Sequence, residues 1–122
     1  MMDESLFRQL QEAFQYEAKE RLETISSSLI ELERVLSSPD KQKPILEIIF
    51  REAHGLKGAS RVVNMEEIEN LSQSMEETFG ALQREEIPPS QELFKQIRDI
   101  VGRIENILSS LEKEQTLVRG AQ

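Results

Sequence analysis

Residues 45–60, Ile45-Leu46-Glu47-Ile48-Ile49-Phe50-Arg51-Glu52-Ala53-His54-Gly55-Leu56-Lys57-Gly58-Ala59-Ser60, decide how the chain folds. Ile45, Ile49, Ala53, Leu56 and Ser60 recur by threes and fours. On a helix advancing about 100° per residue they form one stripe that must be buried. His54, the single histidine of the chain, lies at the edge of that stripe and points toward water. Lys57 sits one turn along on nearly the same face. Gly55 and Gly58 flank the Leu-Lys pair, and each weakens a helix interior by about 1 kcal/mol relative to alanine. Two such residues beside one imidazole imply that something approaches the backbone closely there. A nucleophilic histidine offered to another protein would have these features.

The same spacing extends outward in both directions. From about Asp3 to Leu36, Phe7, Leu10, Phe14, Ala18, Leu22, Ile25, Leu29, Leu32 and Leu36 step by threes and fours. That predicts one long first helix, or two joined at Ser26-Ser27-Ser28, capped by Asp3 or Ser5. Ser37-Ser38-Pro39-Asp40 reads as a loop, with the second helix beginning between Lys41 and Pro44 and fading near Arg61-Val62-Val63. Asn64 followed by Glu67 resembles a capping box opening a third helix to about Arg84, with Met65, Ile68, Leu71, Met75, Phe79 and Leu82 inward. Ile87-Pro88-Pro89-Ser90 is a firm break, and Ser90 caps a fourth helix. That helix reaches about Glu112 through Leu93, Ile97, Ile100, Ile104, Ile107 or Leu108, and Leu111. Residues 116–122 read as a tail or the start of a linker. The expected fold is therefore all-α: an antiparallel up-down-up-down four-helix bundle over residues 1–115.

Composition narrows the functions. The 122 residues suit one domain. A net charge of −8 disfavours nucleic acid and membrane surfaces, which need a basic face. No apolar run approaches the roughly 20 residues that span a bilayer, and the start Met1-Met2-Asp3-Glu4-Ser5 lacks signal-peptide features. With no cysteine and one histidine, thiolate and multi-histidine metal sites are excluded. A cytoplasmic location is the default. A monomer is expected, because four helices can bury their own apolar faces.

Arg51 and Lys57 bracket His54 by one turn either side, and both can reach the oxygens of a phosphoryl group placed on the imidazole. They can equally form a solvated face with partners such as Glu47. Ala53-His54-Gly55-Leu56-Lys57-Gly58-Ala59 resembles the phosphoacceptor motif of histidine-containing phosphotransfer domains, above all the N-terminal domain of CheA-type chemosensory kinases. The likeness continues through Ala59–Met65, Ile68-Glu69-Asn70-Leu71 and Met75-Glu76, and includes Phe14-Gln15-Tyr16-Glu17-Ala18, so it covers most of the chain.

The resemblance implies that His54 is phosphorylated on Nε2 by a kinase's ATP-binding domain, in the same or a partner subunit. His54 would then pass the group to an aspartate of a response-regulator receiver. It also implies that Glu76 accepts a hydrogen bond from Nδ1, which leaves the Nε2 lone pair facing outward. Lys57 would offset the repulsion between phosphoryl oxygens and an acidic protein, and Gly55 and Gly58 would let the partner's active site close over the ring. ATP and magnesium belong to the partners, so no cofactor is expected in this domain. Many family members carry a second histidine where this chain has Gln73. The family's Gly-rich run after the motif is here Ser60-Arg61-Val62-Val63, which is similar to hybrid kinases with a fused receiver. The terminal methionine and the end just past the bundle imply the N-terminal piece of a longer kinase, with a free-standing carrier as the alternative. The competing functional class is an acidic helical adaptor that docks proteins without chemistry.

Overall fold

Four segments with apolar residues at three-and-four spacing give four helices. The computed structural model describes residues 3–120, with α1 at Glu4–Arg34, α2 at Pro39–Val62, α3 at Glu66–Gln83 and α4 at Gln91–Gly120; there is no strand among these residues. The sequence-level expectations for Met1, Met2, Ala121 and Gln122 concern positions outside the described residues. Each helix packs on its neighbours around a ring: α1 on α2 and α4, and α3 on α2 and α4. Short connections at 35–38, 63–65 and 84–90 force consecutive helices to run antiparallel.

The core is aliphatic with two phenylalanines, Phe79 and Phe94, among its largest fully buried side chains. α1 contributes Phe14, Ala18, Leu22, Ile25, Leu29 and Leu32, as the spacing requires, and runs unbroken through Ser26-Ser27-Ser28. α2 contributes Leu46, Ile49, Ala53, Leu56 and the fully buried Ser60, while Ile45 packs at the margin and Ile48 is exposed. On α4 the deepest positions are Phe94, Ile97, Val101, Ile104 and Leu108. Leu93 and Ile100 are only partly buried, so the buried stripe lies one residue round from the expected one at those two places, and of the alternatives Ile107 or Leu108 it takes Leu108. A wide apolar face permits both readings, and packing against α1 and α3 selects between them.

Helix ends depart from expectation in an informative way. α2 starts at Pro39, at least two residues earlier than predicted, because proline's fixed φ and missing N–H suit the first position of a helix. Pro44 consequently lies inside α2. The Gln42 side chain turns back to donate to the carbonyls of Val35 at 3.0 Å and Leu36 at 2.8 Å, which covers acceptors that the end of α1 leaves open.

Asn64 does not cap α3. It takes a left-handed φ of 58° and closes α2, with Met65 N–H donating to the Ser60 carbonyl and Asn64 N–H to that of Arg61. This is the paired-bond termination that a left-handed residue allows, and asparagine tolerates it. Glu85 (φ 58°) does the same for α3, through Glu86 N–H to Ala81 and Glu85 N–H to Leu82. α3 itself begins without a side-chain cap. Asp3 caps α1 by accepting from Ser5 N–H, and the Ser90 hydroxyl accepts from Leu93 N–H ahead of α4. α4 continues to Gly120, past the predicted end at Glu112.

Candidate functional site

The site lies on the seam between α2 and α3. Small buried residues there, Ser60 and Ser72 among them, bring the two helices close, and the Phe50 ring of α2 lies against Gly80 of α3. Ser60 removes its hydroxyl from the core's account by donating to the Lys57 carbonyl at 2.9 Å. His54 follows the buried Ala53, and Glu76 follows the buried Met75, so each stands one position off its helix's inner stripe. That register turns both side chains toward the same seam.

Across it, His54 Nδ1 lies 3.0 Å from Glu76 Oε2. Glu76 is 18% exposed, whereas the His54 side chain is 65% exposed. An ionised carboxylate only accepts, so Nδ1 is the donor, and in a neutral ring this tautomer leaves the lone pair on Nε2. Lys57 completes the cluster from the same helix, its Nζ 3.0 Å from Oε2 and 3.2 Å from Oε1 of Glu76. Burial pushes the Glu76 pKa up, but the hydrogen bonds and charges of Lys57 and His54 outweigh it and hold it below the ordinary value. Glu76 therefore stays charged at neutral pH and orients both the ring and the ammonium.

The other anticipated residues divide. Arg51 donates to Glu47 at 2.6 Å, one turn back on α2, and is largely exposed. Gln73 turns along α3 to Glu77 at 3.0 Å and makes no bond to His54. Gly58 has nothing within 4 Å of where a Cβ would stand, so its surface is open. Gly55 is different. A Cβ there would lie 2.4 Å from Cζ and Nη1 of Arg21, a residue of α1. Arg21 donates through Nε to Glu17 at 3.1 Å and through Nη1 to Glu52 at 3.2 Å, which ties α1 to α2 beside His54. Sequence reasoning flagged the glycine and missed its occupant. The available signal was Glu17-x-x-x-Arg21, an i,i+4 pair bordering the buried stripe of α1.

Among the described residues there is no group of three or more His, Cys, Asp or Glu placed to hold a metal ion. Nor is any helix long and apolar enough to cross a membrane.

The bundle thus presents an exposed histidine oriented by a carboxylate. The comparison with protein families makes this specific: residues 9–112 match the Hpt domain, and the chain belongs to that family. Hpt domains take part in histidine phosphotransfer within phosphorelays, meeting kinases and response regulators. The chain is also 30% identical over 104 residues to the sensor histidine kinase CheAY of Helicobacter pylori. The match covers 85% of this chain but 12% of that relative's length. No solved structure matches the chain.

Proposed function

We propose that His54 is the phosphoacceptor of this Hpt domain and that Glu76 and Lys57 are its working partners. The observation that carries this reading is the 3.0 Å contact of Nδ1 with the Glu76 carboxylate, which selects the tautomer of the neutral ring whose lone pair is on Nε2. In the first step the Nε2 lone pair attacks the γ-phosphorus of ATP held by a kinase domain. The P–N bond forms, the bond to the bridging oxygen breaks and ADP departs. The Nδ1 proton stays in place, and the positive charge gained by the ring is offset by Glu76. In the second step a receiver-domain aspartate oxygen attacks the same phosphorus. The P–N bond then breaks, and its electron pair returns to Nε2.

ATP and magnesium are supplied by the partners. The domain is a carrier and not an autonomous catalyst. Its likeness to a sensor histidine kinase supports a place within a CheA-type kinase acting in a chemosensory relay in the cytoplasm. Lys57 serves this scheme through Glu76, since its ammonium is committed to that carboxylate. Gly58 leaves the surface beside the ring open to a partner.

The test is incubation of the domain with a kinase core and ATP, read by intact mass. An acid-labile gain of one phosphoryl group in the wild type, absent in His54→Gln, is expected. A folded wild type left unmodified by several related kinase cores would shift the balance to a docking adaptor.

A further inference from the structure

The glycine that follows His54 has no backbone reason to be one. No glycine among the described residues has a positive φ, and Gly55 lies in the interior of α2, where glycine weakens a helix. What it provides is space. The Arg21 guanidinium occupies the place of its missing Cβ, so even a methyl group would push that side chain away. Arg21 is held from two sides, by Glu17 on its own helix and Glu52 on α2. Burial opposes its charge, but those two carboxylates outweigh it and raise the pKa above the ordinary value.

A guanidinium has five N–H donors, and these two bonds use two of them. The side chain is 30% exposed, and its guanidinium lies over Gly55, the residue after His54. Lys57 has its ammonium committed to Glu76, and Arg51 is held by one flexible pair on a single helix. Arg21 is a cation held by carboxylates of two helices at the glycine beside His54, with three N–H donors unused by those two bonds. Donors fixed in advance lose little entropy when they engage an oxyanion.

We propose that Arg21 is a docking residue of the phosphotransfer face, seated through the gap at Gly55 so that its open N–H edge receives the oxyanions a partner brings to His54. This rests on the reading of His54 as phosphoacceptor. The chemistry recognised is a phosphate or carboxylate oxygen in the plane of the guanidinium. ATP in a kinase domain and the acidic pocket of a receiver both present it. It follows that Gly55 and Gly58 do different things: the first admits a side chain of this protein, and the second faces open space.

The test uses four proteins: wild type, Arg21→Ala, Gly55→Ala and the double variant. Each is checked for folding by thermal melting and assayed in both half-reactions, from kinase core and ATP to the domain and from the domain to a receiver. Each single variant should lower kcat/KM about tenfold, mainly through KM, with the loss shrinking as salt is added. The double variant should be no worse than either single one, because Gly55→Ala acts only by displacing Arg21. Arg21→Lys, which keeps the charge, should recover part of the rate. A loss confined to the first half-reaction assigns the oxyanion to ATP, and a loss confined to the second assigns it to the receiver. Wild-type transfer by a folded Arg21→Ala protein would overturn the proposal and leave Arg21 a strut between helices. A further loss on adding Gly55→Ala to Arg21→Ala would overturn it too, since the glycine would then serve the partner directly. If the wild type itself takes no phosphoryl group, the reading of His54 fails first and the role of Arg21 goes with it.

Discussion

The α2–α3 side and the α1–α4 side of the bundle solve the same packing problem differently. Around His54 the helices meet over small residues, and the charged groups at the rim are tied to one another: Lys57 and His54 to Glu76, and Arg21 to Glu17 and Glu52. Between α1 and α4 the surface instead opens into a groove of about 690 Å³, floored by Leu22 and Leu108 and flanked by Tyr16 and Ile30. Tyr16 and Ile30 are both exposed. On the proposed reading the ring must meet a reacting phosphorus and needs its direction fixed, and a charged network over buried small residues fixes it. The groove side carries no such demand, so its packing is looser.

The largest effect should come from testing that packing difference directly. Leu56, 0% exposed on α2 beneath the site, should cost about 3–5 kcal/mol when replaced by alanine, since the space left behind is closed to water. Leu108, 9% exposed on the groove floor, should cost about 1–2 kcal/mol in Leu108→Ala, because the space left behind opens to water and can collapse. Urea unfolding of both variants checks this. Equal losses would mean that the two sides are packed alike and that the groove is no measure of looseness.

Next comes the network itself. Glu76 serves two donors, an imidazole N–H and an ammonium, with two acceptor oxygens. Glu76→Gln keeps the shape but removes the charge and puts a donating NH2 in place of one oxygen, so the imidazole and the ammonium share a single neutral acceptor. Phosphoryl acceptance by His54 should fall about 100-fold, measured at saturating kinase core, while the fold survives. The pH dependence follows from the lowered pKa of Glu76. A carboxylate depressed in the folded state stabilises the fold above its unfolded value and loses that contribution as pH falls through the folded one. Below the ordinary value of 4.5, wild type should therefore lose melting temperature faster than Glu76→Gln. Parallel melting curves from neutral pH down through that window would show that the bridge is not formed in solution.

These residues also mark how far sequence reading goes. Four helices were legible because apolar spacing reports burial directly, and the structure brings both His54 and Lys57 to Glu76, the second of these contacts being one the sequence reading did not anticipate. Asn64 was misread because capping and left-handed termination favour the same residue type, and backbone conformation alone separates them. The later end of α4 went unseen because its last residues lack an apolar stripe, and a helix can run on without one. Arg21 could not be placed, since no pattern within α1 tells which residue of α2 lies opposite. Gly55 was noticed for the right reason, an unexplained loss of helix stability, yet assigned to a partner when the occupant was in the same chain.

The smallest expected effect separates the two sides most cleanly. Gly58 on the site face and Gly102 in α4 are both helical, and neither has an atom within 4 Å of a would-be Cβ. Nothing among the described residues opposes an alanine at either place, so each substitution should stabilise the fold by about 0.5–1 kcal/mol through helix propensity. If Gly102 is free of function, Gly102→Ala should transfer phosphate at the wild-type rate. Gly58→Ala should be equally stable yet several-fold slower, because its methyl group meets none of the described residues and would meet a docking partner. The comparison needs one melting curve and one phosphotransfer time course for each protein. A Gly58→Ala protein that is both more stable and fully active would remove the last glycine from the site and leave Arg21, Lys57 and Glu76 to define it.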